Sequence, residues 1–151
     1  QTAAKNKEFN MYYRDVVPSF PEHPHTGFET ITLVEQGYVD HFDSLGNAGR
    51  YAAGDVQWLS TGNGIEHCEM FPLLHEHQDN PFELFQIWFN SSPEQKQQDA
   101  HYKMMWREHI PHVIESDLAG NQSDIRVISG SFKPMRLLAR HIPGPQPVKI
   151  R

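Results

Sequence analysis

His23 and His25 in the stretch EHPHTGFET, with His67 and Glu69 in GIEHCEM, are the residues whose types and spacing suit metal chemistry. Each pair is spaced i, i+2, so on a β-strand both side chains point to one face. Two neighbouring strands carrying these pairs would present three imidazoles and one carboxylate to a single cation. Imidazoles bind as neutral nitrogen donors, and the carboxylate adds charge and a hard oxygen. Such a set suits Fe(II), Mn, Ni, Cu or Zn alike. Four protein ligands leave an octahedral ion two free positions, room for a bidentate substrate or O2. A structural zinc would instead favour four closed ligands, commonly including cysteine.

The chain holds ten histidines, so such pairs also arise by chance. His75 with His77, and His41 with Asp43, share the spacing. His75-Glu76-His77 lies in a polar stretch with Gln78-Asp79-Asn80, where solvated side chains are the ordinary expectation. His41 and Asp43 run straight into a turn, and Asp43 is read as capping it. By contrast, His23 and His25 precede a clean strand, and His67 and Glu69 follow a glycine corner. Cys68 points away from its two neighbours and reads as a small buried hydrophobe.

The elements that must position these residues are short strands. Phe9 to Tyr13 reads as an entry strand. Gly27 to Glu35 alternates, with Glu29, Ile31 and Leu33 on one face and Thr30 and Thr32 on the other. Gln36-Gly37 turns the chain into Tyr38–Phe42, and Asp43-Ser44-Leu45-Gly46-Asn47 is a hairpin turn. Arg50 to Asp55 leads into a strand over Val56–Ser60, and Thr61-Gly62-Asn63-Gly64 forms the corner before Ile65–Phe71. Pro81 to Phe89 reads as a strand buried on both faces. Ser92, Pro93 and Gln95 carry the signature of a capping box, so one short helix is expected there. Tyr102–Glu108 reads as a strand or arm, Ile125–Ser129 as a last strand, and residues 141–147 as an extended proline-rich linker. Strands at this frequency imply an all-β sandwich or barrel.

A net charge of −6 argues against a nucleic-acid backbone as partner. Apolar runs are only a few residues long, far short of a membrane span. A single cysteine excludes an intrachain disulfide and, with no signal-like apolar N-terminus, favours a reducing cytoplasm. The chain starts at Gln1 without a methionine, which is compatible with the loss of a leader or earlier segment. Trp58, Trp88 and Trp106 read first as core aromatics, and Gln57 and Gln86 as core or surface hydrogen-bonding groups. Gly62-Asn63-Gly64 lacks the Lys and Ser/Thr of a phosphate loop. Ser44 and Ser60 lack a His-Asp partner pair.

The stretch His23-Pro24-His25-Thr26-Gly27-Phe28-Glu29-Thr30-Ile31-Thr32 resembles the N-terminal metal-binding motif of the pirin family, in the cupin superfamily. So do Asp43 to Asn47 followed by Gly54-Asp55-Val56-Gln57-Trp58-Leu59, then Gly62 to Met70, then Phe85 to Asn90. The likeness covers roughly residues 15 to 115, with the blocks in order and the gaps matching. It implies a cupin jelly-roll barrel with Fe(II) held by His23, His25, His67 and Glu69. General cupins take their carboxylate from the position of Glu29; pirin-like proteins use that of Glu69, which leaves Glu29 as a pocket residue or an alternative base. The activity implied is that of a quercetin 2,3-dioxygenase-type enzyme acting on a flavonol-like aromatic and O2, with Glu69 or Glu29 as catalytic carboxylate. The alternative is an iron-dependent, redox-sensing regulator that binds a protein partner. The expected division is a cupin domain over 1–115, then a strand or arm and tail over 116–151. The family's second cupin domain is absent from this sequence. The chain is therefore either a fragment or a domain that works alone, with homodimerisation expected if an apolar face lacks its cover.

Overall fold

The computed structural model describes residues 19–116 and 119–132. The expected strand over Phe9–Tyr13 and the proline-rich linker over 141–147 lie outside these residues. The chain divides into two compact units, one up to Met104 and one from Met105 onward.

The first unit is built from β1 (Ser19–His25), β2 (Phe28–Gln36), β3 (Tyr38–Asp43), β4 (Ala48–Ala52), β5 (Val56–Ser60), β6 (Ile65–Met70), β7 (Glu83–Asn90) and all but the last residue of β8 (His101–Met105). These form two four-stranded sheets, ordered β1-β6-β3-β4 and β7-β2-β5-β8. Two such sheets are the layers of a jelly roll. Their inner faces meet in a core containing Val34, Val39, Tyr51 and Phe71, with Phe20, Leu84 and Met104 packed against it. Leu59, Ile65 and Ala100 form a second cluster beside Tyr102. The second unit holds a hairpin of β9 (His112–Ser116) and β10 (Gln122–Arg126).

Alternation explains most of these strands, and four expectations change. Pro81–Phe89 was expected to be buried on both faces. Its core, β7, is instead the edge of its sheet, hydrogen-bonded to β2 alone. Phe85 is 56% exposed and Ile87 45%, so this aromatic-rich run, interrupted by Glu83 and Gln86, marks an open outer face rather than a doubly covered strand. The expected helix is a single 3-10 turn at Gln95–Gln97. Its capping box does form: Gln95 N–H donates to Ser92 Oγ at 3.3 Å and Ser92 N–H to Gln95 Oε1 at 3.0 Å. Pairing of Gln122–Arg126 with His112–Ser116 shifts the last strand earlier than Ile125–Ser129. Finally, β4 is a strand in its own right; its Ala-Gly-Arg-Tyr-Ala composition gives almost no strand signal.

Candidate metal centre

Strand register assembles the site. In the antiparallel pair β1–β6, His23 lies opposite His67 and His25 opposite Ile65. On the other side of β6, Asp43 of β3 faces His67, and His41 faces Glu69. Directly opposed residues share a face, so His23, His25, His67, Glu69, His41 and Asp43 all project into the barrel. A slip of one residue in either pairing would turn one strand's residues to the face opposite its partner's and break up the set.

The imidazoles of His23, His25 and His67 form a triangle with ring centroids 4.5 to 4.9 Å apart. One nitrogen from each lies within 4.8 Å of the others, a grouping able to hold a metal ion. Two further observations fit a cation. His67 Nε2 is buried and has no hydrogen-bond partner, a costly state for a polar atom unless something binds it. His23 Nδ1 lies 2.5 Å from the Pro21 carbonyl oxygen. A carbonyl only accepts, so Nδ1 carries the hydrogen and Nε2 keeps the lone pair.

Burial lowers the pKa of His67 to about 3, with His23, His41 and His25 adding to the effect. His25 is lowered by burial and by His23. Both shifts favour the neutral imidazole a metal requires.

Glu69 is 1% exposed, and its donors group with those of His41 and His67 rather than with the full imidazole triangle. Burial raises its pKa, partly offset by hydrogen bonds from Tyr51 and Gln86. Tyr51 O–H donates to Glu69 Oε1 at 3.3 Å, and Gln86 Nε2 approaches Oε2 at 3.4 Å while donating to Thr32 Oγ1 at 3.1 Å.

Glu29 is placed elsewhere. It accepts a hydrogen bond from Trp58 Nε1 at 2.5 Å. Thr32 shares the face that carries Gln86 and Glu69, so by alternation Glu29 projects from the opposite face of β2. His75 and His77 are exposed, as expected, and Cys68 is half-buried.

Sequence reasoning passed over His41, which is fully buried and stacked on Tyr102 with centroids 5.2 Å apart and planes 14° apart. Its i, i+2 relation to Asp43 was visible but assigned to the turn alone, and Asp43 does both jobs. Oδ1 accepts from the N–H groups of Leu45 and Asn47 at 3.0 Å, while Oδ2 accepts from His41 Nε2 at 3.0 Å. Trp88, expected in the core, is 59% exposed and stacks on Phe28 at 4.7 Å beside His25. Its N–H donates to Gln86 Oε1 at 2.7 Å.

Histidines projecting from one sheet into the interior of a jelly roll are the arrangement of a cupin. The chain belongs to the pirin family, whose model, Pirin, matches residues 2–89. It is 40% identical to human pirin over 112 residues, covering 74% of this chain and 35% of that protein. The crystal structure of a quercetin 2,3-dioxygenase from Acinetobacter baumannii superposes with a TM-score of 0.66 at 36% identity, over 76% of this chain and 39% of that one. The bacterial pirin YhhW from Escherichia coli, in complex with nickel(II), gives a TM-score of 0.50 at 37% identity, over 58% and 35% of the two chains. The chain thus spans well under half the length of these relatives.

Proposed function

We propose that this chain is a metal-binding cupin holding one divalent transition ion through His23, His25, His67 and Glu69. Loaded with Fe(II), it acts as a dioxygenase on a flat aromatic substrate of the flavonol type. The observation that carries the reading is the grouping of three imidazoles, with the buried Nε2 of His67 partnerless and buried Glu69 on the same face. The names of the similar proteins support the same chemistry: one is a quercetin 2,3-dioxygenase and another binds nickel(II).

When bound, such an ion supplies Lewis acidity toward a hydroxyl and a centre for O2 chemistry. The chain's own residues do the rest. Pro21 orients His23, and Tyr51 and Gln86 hold the Glu69 carboxylate in place. Glu69, its pKa raised by burial, is the group we assign to accept the substrate hydroxyl proton. The Phe28–Trp88 stack beside His25 offers an aromatic platform for a planar ring. We prefer Glu69 to Glu29 because the Glu29 carboxylate is engaged by Trp58 on the other face of β2.

Protein reconstituted with Fe(II) under anaerobic conditions is expected to consume O2 when mixed with quercetin. Elemental analysis should show iron lost from His67→Ala and Glu69→Ala. Iron that stays bound while several flavonols elicit no uptake would overturn the dioxygenase and leave a metal-dependent regulator of a protein partner. Full turnover by an iron-replete Glu69→Ala would overturn its assigned role.

A further inference from the structure

We infer that Asp43, His41 and His67 form a relay that fixes the tautomer of His67 and turns its Nε2 lone pair toward the metal position. His41 is the positioning residue. The inference rests on reading His67 as a metal ligand.

The chain of roles follows from donors and acceptors alone. The ionised Asp43 carboxylate can only accept, and its Oδ2 lies 3.0 Å from His41 Nε2. His41 Nε2 therefore carries the hydrogen. A neutral imidazole carries one, so His41 Nδ1 holds a lone pair. That lone pair faces His67 Nδ1 at 3.5 Å, the outer limit of a hydrogen bond. Two lone pairs pointed at each other would repel, so the hydrogen of His67 resides on Nδ1. Its Nε2 is then bare, and it is Nε2 that is buried without a partner. The opposite tautomer would put an N–H, not a lone pair, at this buried and partnerless position, where it would obstruct a cation.

The surroundings hold the relay in place. Asp43 lies opposite His67 across β3 and β6, and His41 lies one row further along, opposite Glu69. Tyr102 stacks on the His41 ring and restrains its plane. The side chains of His41 and Asp43 are both fully excluded from solvent, so water does not compete for the bond between them. A carboxylate or amide behind a ligating imidazole fixes its orientation and basicity, and losing such a partner typically weakens metal binding about 10- to 100-fold. Here the support reaches His67 through a second imidazole.

The donors of His41, His67 and Glu69 also lie within 4.8 Å of one another. An ion among those three would occupy His41 Nδ1 and abolish the relay, so metal stoichiometry is a direct check.

The test uses the full chain loaded with zinc, which is diamagnetic. Long-range proton–nitrogen spectra of the imidazoles should show His67 protonated at Nδ1 and zinc-bound at Nε2, with His41 protonated at Nε2. Metal affinity, measured by chelator competition, should fall about 10- to 100-fold in His41→Leu. It should recover in His41→Gln, whose amide can accept from His67 and donate to Asp43. A proton on His67 Nε2, two zinc ions per chain, or wild-type affinity in His41→Leu would each overturn the relay. If His41→Leu does not fold, the tautomer of the wild-type protein decides alone. A wild-type chain that takes up no zinc overturns the metal centre and the relay with it. Zinc uptake with the reversed tautomer overturns the relay only.

Discussion

Crowding neutral histidines together, with His67 and His41 buried, has a stability consequence whose sign can be worked out. The pKa of His67 is about 3 in the folded chain, against about 6.5 when unfolded. Between those values the unfolded chain binds the extra proton, so stability falls as pH drops from about 6.5 toward 3. The slope from this one group is at most about 1.4 kcal/mol per pH unit. His25 and His41, also lowered by burial, act in the same direction. Glu69, raised by burial, acts in the opposite one. The metal-free protein should therefore melt lower at pH 5 than at pH 7, with a smaller drop in His67→Ala. Equal drops in the two proteins would refute the assignment. The two i, i+2 pairs were legible because strand parity alone puts their side chains on one face. The place of His41 was not, since only the β3–β6 register puts it opposite Glu69 and only packing removes it from water.

Among the elements, the corner before β6 sets where His67 and Glu69 arrive. Gly62 has φ +47°, and a Cβ there would sit 2.1 Å from the Gln98 carbonyl oxygen. That carbonyl also accepts from Asn63 N–H at 2.8 Å, so it cannot easily give way. Gly46, in the β3–β4 turn, has φ +82° but open space around it. Gly46→Ala should cost about 1 kcal/mol from backbone conformation alone. Gly62→Ala should cost about 3 kcal/mol or more and reduce metal uptake, since the clash must displace the start of β6. Urea denaturation of the two variants separates these outcomes. The corner, the Asp43 turn and the alternating strands were readable because glycine, turn chemistry and period two leave local marks. β7 misled because an apolar run records hydrophobicity, not how many sheets cover it. His112–Ser116 escaped because a short polar hairpin strand owes its existence to its partner.

For the molecule as a whole, the notable surface is the outer face of β7, where Phe85 and Ile87 are both largely exposed. Exposed apolar side chains on an edge strand invite association. Phe85→Thr combined with Ile87→Thr should lower binding of a hydrophobic dye and raise solubility. Metal content should stay unchanged, because Gln86, between them, is the residue that reaches Glu69. Metal loss in the double variant would show that the two faces of β7 are not independent. None of the described helices is long and apolar enough to cross a membrane.

Asp43 gives Oδ1 to the backbone of the β3–β4 turn and Oδ2 to His41, with the Asn47 side-chain amide donating to both oxygens. A loop tip and a coordination shell therefore share a single anchor. Any cation that tightens its grip on His67 would, through that anchor, slow amide exchange at Leu45 and Asn47, giving the outside of the barrel a gauge of what its interior holds.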